Sequence, residues 1–307
     1  MNSILTGKNT ARTLSVHSSI DISDTWRKAM GIDVGDLFRS IECISYCECT
    51  ETGFRYYQPS LAAGGGELYE QLEKYDWYYM PDKWEFGKAL NLLAYERNIL
   101  EVGVGEGHFL SAAKLAGHDV QGVELNPLGA DRARSKGFVI HEKMLDQFHL
   151  DPNDKFDSIC SFQVLEHVAQ PLEFLRGMLK LLKPNGKMIL SVPNAAVYKR
   201  IDPLNLDLLN QPPHHLGHWD ESVFRSLEKF LPIKLNSVHF EPLASYHVAW
   251  MVTGYLRVKF SFLGSFCSRL LFNRITTLPV QLILLSGLRK FLPGHTLLVE
   301  FEYFPAL

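Results

Sequence analysis

Three glycines carry the densest chemistry in this sequence. Glu101-Val-Gly103-Val-Gly105-Glu-Gly107 follows the apolar run Asn98-Ile-Leu and precedes helical spacing from Phe109. Glycine lets a backbone turn tightly and come close to a ligand. A dinucleotide site needs G-x-G-x-x-G, with its last glycine at position 108, and that residue is His108. The spacing is G-x-G-x-G, with an acid two residues before the first glycine. It suits a cationic ligand end, such as an amino-acid ammonium, better than a pyrophosphate. Glu124 closes the next strand-like run, where an acid accepts hydrogen bonds from both hydroxyls of a ribose. Ammonium and ribose together describe S-adenosylmethionine (SAM).

A second group of residues offers proton chemistry. His214 and His215 follow Pro212-Pro213, and His167 follows the run Phe156–Phe162. Histidine titrates near neutrality and is the usual general base for a hydroxyl. His215 is the first candidate, then His214, then His167, for which a packing role competes. His218 reads as a surface or helix-capping histidine. Three histidines within five residues also raise the question of metal. Pro213 and Gly217 favour a loop over a helix that would bring His214 and His218 together. Cys43, Cys47 and Cys49 have no fourth cysteine nearby, so free thiols are expected there and no metal is assigned.

These residues need a frame. Short apolar runs at 98–102, 118–124, 138–141, 156–162 and 187–192 alternate with helical spacing at 109–116, 130–135 and 172–182. Alternation of this kind predicts an α/β, Rossmann-like, doubly wound and mostly parallel sheet with helices on both faces. Asp220 is a candidate N-cap for a helix to Phe230. Ile233–Phe240 and His295–Tyr303 are expected to pair antiparallel, completing seven strands. Residues 1–64 read as an N-terminal extension, loosely defined to residue 40, with a short hairpin in 41–58. Residues 65–97 read as aromatic-rich capping helices (Tyr69, Tyr75, Trp77, Tyr78, Tyr79, Trp84, Phe86). Residues 98–241 form the binding core, 242–293 a helical insertion and 294–307 the last strand.

The chain has 307 residues and a net charge of -3, an ordinary globular composition with no overall nucleic-acid signature. The average conceals an acid-free stretch between Glu241 and Glu300 that carries six cations: Arg257, Lys259, Arg269, Arg274, Arg289 and Lys290. This basic, apolar insertion suits an anionic or lipid-linked acceptor, an anionic membrane surface, or a packed interface. The first residues hold no apolar leader, and the expectation is a cytoplasmic protein with free thiols.

Four ordered segments resemble the class I SAM-dependent methyltransferases. They are Ile99-Leu-Glu-Val-Gly-Val-Gly-Glu-Gly107, Gly122-Val-Glu124, Phe156-Asp-Ser-Ile-Cys-Ser-Phe-Gln-Val-Leu-Glu-His-Val168 and Leu182-Lys-Pro-Asn-Gly-Lys-Met-Ile-Leu-Ser-Val-Pro193. The resemblance covers about residues 86–240. Leu165-Glu-His-Val168 is similar to the small-molecule branch, which holds ubiquinone-type O-methyltransferases and sugar or secondary-metabolite methyltransferases. In that branch a stretch like Pro212-Pro-His-His-Leu-Gly-His-Trp219 flanks the acceptor pocket. The resemblance implies that Glu101, Gly103, Val104, Gly105 and Gly107 hold the methionine part of SAM. It implies Glu124 and Leu125 for the ribose end, Asp146 for the adenine, and Phe162 and Gln163 for the methionine side. The implied activity is methyl transfer to a small-molecule acceptor, with a hydroxyl of a sugar or related metabolite favoured. A catalytically silent SAM-binding scaffold is the competing reading. A nicotinamide oxidoreductase is disfavoured by His108.

Overall fold

A computed structural model describes residues 1–305 except Asp76, Trp77, Tyr79 and Leu206. The chain begins with β1 (Ala11–Ser18), α1 (Ser19–Met30), β2 (Cys43–Cys49), β3 (Arg55–Gln58), α2 (Gly66–Leu72) and α3 (Trp84–Leu92). Then come β4 (Asn98–Val102), α4 (His108–Leu115), β5 (Asp119–Val123), α5 (Pro127–Ser135), β6 (Val139–His141), β7 (Phe156–Phe162) and α6 (Pro171–Leu181). The remainder is β8 (Leu182–Pro193), α7 (Ala195–Ile201), β9 (Gly217–His218), α8 (Glu221–Ser226), β10 (Ile233–Pro242), α9 (Val248–Lys259), α10 (Ser265–Leu271), α11 (Leu278–Leu285) and β11 (Pro293–Tyr303).

The main sheet has seven strands in the order β10-β11-β8-β7-β4-β5-β6. β4 to β8 run parallel, and β11 pairs antiparallel with both β8 and β10. The expected pairing of the last two strands is present, with Ile233 opposite Tyr303. Alternate residues of each central strand serve opposite faces. Ile99, Cys160, Ile189 and Leu298 pack with Phe109 of α4 and Ala89 of α3 on one side. Leu100, Ile159, Met188, Leu190 and Val299 pack with Leu175 and Met178 of α6 on the other. Both faces are buried, as a parallel sheet requires. Asp220 caps α8 through its side chain, which accepts from the Val223 amide at 3.1 Å. That helix ends at Ser226 and continues as a short 3-10 turn.

The smaller sheet, in the order β1-β2-β3-β9, differs from expectation. The hairpin in 41–58 is present as β2 and β3. Residues 1–40, however, are ordered structure rather than a loose lead. β1 pairs with β2, and α1 buries Trp26 completely. The closing strand β9 comes from far along the chain, between the Pro-Pro-His-His turn and α8. Trp26 Nε1 also donates to the Pro212 carbonyl at 3.2 Å. The N-terminal residues therefore brace the loop that carries His214 and His215.

Candidate active site

The glycine turn leaves β4 at the carboxyl edge of the sheet, where open α/β sheets bind ligands. Gly103, Gly105 and Gly107 have φ of 83°, 53° and 78°, a region that side chains rarely adopt. A Cβ on Gly103 would lie 2.3 Å from Val164 Cγ2. Glu124 at the end of β5 is locked to this turn. Its Oε2 accepts from the Gly105 amide at 2.7 Å and its Oε1 from the Asn126 amide at 2.8 Å. Glu101 is 2% exposed, and its Oε2 has no hydrogen-bond partner. Burial, reinforced by the Glu124 charge, pushes the Glu101 carboxyl well above the usual range. A buried, unpartnered carboxyl is costly unless a cation joins it.

The three candidate histidines converge on one spot. The His167 ring stands edge-on to His214 and His215, at 4.8 and 4.9 Å between centroids. His214 and His215 stack at 4.3 Å with planes 20° apart. Each is oriented through Nδ1. His167 donates to the His214 carbonyl at 2.5 Å, His214 to the Leu209 carbonyl at 2.9 Å, and His215 to Asn210 Oδ1 at 3.1 Å. The lone pairs are thus left on Nε2, where His214 accepts from the Tyr78 hydroxyl at 3.1 Å. Their ligand atoms lie within 4.8 Å of one another. Adjacent nitrogens on a tetrahedral zinc sit about 3.3 Å apart. The three imidazoles lie close enough to gather on one ion, and each has its Nδ1 proton engaged. His218 is not at the surface. It is buried, with Tyr46 at 2.8 Å from Nδ1 and Nε2 donating to the Asn210 carbonyl at 2.9 Å.

Burial keeps these rings neutral. It lowers His167 and His218 to about 4, and His214 and His295 to about 3, with neighbouring imidazoles adding to the shift at His214 and His295. The unfolded chain takes up protons on these rings near 6.5, whereas the folded chain does not until well below that. Stability is therefore complete above about pH 6.5 and falls as pH drops toward 4. Each ring contributes about 1 kcal/mol per unit in that window. Urea unfolding at pH 7.5 and 5.5 is expected to show a clearly lower midpoint at 5.5. Equal midpoints would contradict the neutral cluster.

A family described as "Methyltransferase domain" matches residues 77–229. Residues 77–229 carry a methyltransferase domain of the class I SAM-dependent kind. Among relatives, this methyltransferase is 34% identical over 109 residues to a ubiquinone biosynthesis O-methyltransferase of Histophilus somni, covering 32% of this chain and 46% of that protein. It is 26% identical over 144 residues to the mitochondrial ubiquinone biosynthesis O-methyltransferase of Dictyostelium discoideum, covering 41% and 45%. The chain thus spans less than half the length of either relative. An SAM-dependent methyltransferase structure from Mesorhizobium loti superposes with a TM-score of 0.46 at 18% identity, covering 73% of this chain and all of that one.

The residues of this methyltransferase fit SAM. The orphan Glu101 oxygen suits its ammonium, and Glu124 stands at the end of β5 against the glycine turn. Leu125 is exposed beside Glu124. Three expected residues sit differently from their neighbours. Val104 turns its side chain into the core against Gly122, so its backbone alone faces the turn. Phe162 packs on Phe86 and Phe109, at 5.3 and 4.6 Å between centroids, inside the core. Asp146 is exposed on a 3-10 turn, Leu145–Gln147. Gln163 has φ of 56°, and its side chain spans Glu85 and Ser191. Strain of this kind in a non-glycine residue gathers at functional sites.

Several site residues escaped the sequence reading. Glu166 is buried with Oε2 unpartnered, and burial pushes it up to about 8. Burial raises Glu85, Glu101 and Glu166 alike, and the Lys83 ammonium opposes it in all three. Lys83, at the start of α3, lies with its ammonium 5.8 Å from the Phe86 ring centroid. The capping segment is held down by Arg132, which pairs with Glu73 at 3.1 Å and Glu106 at 2.7 Å. Tyr69 lies edge-on to His167. Trp77 and Tyr79, expected in the same cap, lie outside the described residues. A cavity of about 640 Å³ opens at the amino ends of β4 and β5, away from these groups. A narrower one is lined by His215, His218 and Asn210.

Proposed function

We propose that this chain transfers a methyl group from SAM to a hydroxyl of a small molecule, with a sugar or related metabolite as the favoured acceptor. The observation that carries the reading is the neutral His167–His214–His215 cluster beside a loop built for SAM. SAM, when bound, supplies a methyl group already activated on a positive sulfonium. The chain has three tasks. Glu101 and the glycine turn hold the amino-acid end, Glu124 the ribose, and aligning the acceptor contributes about 7–11 kcal/mol by positioning alone. His215, its Nδ1 proton pinned by Asn210, accepts the hydroxyl proton at Nε2. His167 and His214 shape the same wall and exclude water, with Tyr69 and Tyr78 closing it from the cap.

The relatives named above are O-methyltransferases, which supports oxygen as the accepting atom. The acceptor would arrive past the basic insertion, which suits an anionic or lipid-linked molecule. The test is transfer of labelled methyl from SAM into fractionated metabolites. Label in a hydroxyl-bearing fraction, stable to mild base as an ether is, is the expected result. SAM binding with no label in any fraction would leave a silent SAM-binding scaffold instead.

A further inference from the structure

α11, Leu-Pro-Val-Gln-Leu-Ile-Leu-Leu, is turned inside out. Its one polar side chain, Gln281, is buried, and donates to the Arg274 carbonyl at 2.9 Å and Thr277 Oγ1 at 2.8 Å. Leu278, Val280, Leu282, Ile283 and Leu285 face outward. A helix facing water does the opposite. The same inversion runs through the surrounding segment. Phe262, Phe266, Ile275 and Phe291 are each at least 78% exposed. Half of the large apolar side chains exposed among the described residues lie within 242–293.

The segment is not loose. α9 buries Val248 and Val252 against Leu243, and Gly254 abuts Ile201 of α7. Arg257 donates to the Phe272 carbonyl and Arg289 to the Leu243 carbonyl, both at 2.8 Å, which ties the links between helices. The apolar face is thus held out on a fixed frame. The segment carries six cations and no carboxylate from 242 to 299, and Lys259, Arg269, Arg274 and Lys290 are exposed. No helix among the described residues is long and apolar enough to cross a membrane. Apolar side chains projecting from short helices, in a segment with exposed Arg and Lys and free of acids, match a bilayer surface with anionic headgroups.

We infer that residues 242–293 are a docking surface for an anionic lipid bilayer. The apolar side chains of α10 and α11 enter the acyl boundary, and Arg269, Arg274 and Lys290 meet the phosphates. Charge decides the occupant. A second copy would bring its own six cations against these six, whereas phosphatidylglycerol brings anions. Docking and methyl transfer are read separately, because Leu282 and Ile283 lie outside the SAM and histidine residues.

The test is flotation of the full chain with phosphatidylcholine vesicles, with and without phosphatidylglycerol. Light scattering and SAM affinity are measured on the same samples. Binding to the anionic vesicles is expected, at least tenfold tighter than to the neutral ones. The double variant Leu282→Glu/Ile283→Glu should lose at least tenfold in vesicle affinity while keeping its thermal midpoint and SAM affinity. Arg269→Gln/Lys290→Gln should lose about tenfold on anionic vesicles alone. Any of three results overturns the inference: no binding to anionic vesicles, equal binding by the glutamate variant, or a dimer that this variant converts to monomer.

Discussion

Glu101→Gln is expected to weaken SAM binding by about 10²-fold or more while leaving the ligand-free protein at least as stable. The two effects have opposite signs for one reason. In the free protein the Glu101 carboxyl is fully buried and one oxygen finds no partner. Removing its acidity takes away a desolvation cost. On the proposed function, the same oxygen would face the SAM ammonium out of water. Losing one partner of such a pair costs about 2–5 kcal/mol, roughly 30-fold to several thousandfold in affinity. Calorimetric titration with SAM and thermal unfolding of the free variant measure the two halves. A variant that unfolds more readily and binds SAM normally would make Glu101 a structural residue.

The second large effect is at His215. His215→Gln should lower turnover by about 10²–10⁴-fold with SAM affinity intact. Glutamine fills similar space and can still hydrogen-bond Asn210, but it cannot take a proton. The loss should fall in kcat more than in KM for the acceptor, because proton removal matters in the transition state. Asn210→Ala should imitate it more weakly, since Asn210 only sets which nitrogen keeps the lone pair. If His215→Gln turns over normally, His214→Gln and then His167→Gln, in the same wall, are the next substitutions to assay.

What could be read before folding was what lies close together along the chain. The glycine turn, Glu101 and Glu124 are spaced by a strand, a turn and a helix, so their meeting follows from local geometry. The antiparallel pair β10 and β11 announced itself by two apolar runs around an insertion. Phe162 was misdirected although a signal existed: alternation along β7 puts it on the face of Cys160, which is core. Asn210, Lys83 and Glu166 were invisible for other reasons. Asn210 matters because a distant loop folds His215 onto it. Lys83 acts across space on three acids. Glu166 stands inside a recognised motif, but only its burial and unpartnered oxygen mark it out. The smaller sheet was missed because β9 is two residues long and pairs with a strand some 160 residues earlier, beyond the reach of any local pattern.

That pairing has a bearing on how specificity could change. The proline-histidine loop is stitched to β3 by β9 and pinned by Trp26, so it shares its frame with the N-terminal sheet. The glycine turn and Glu124 are held instead by β4 and β5. On the proposed function, acceptor preference would drift by coordinated changes in the loop and its N-terminal frame. A graft of the histidine loop alone would carry half a frame. Residues 1–64, though remote in sequence from the imidazoles, belong with the loop whenever acceptor selectivity is redesigned.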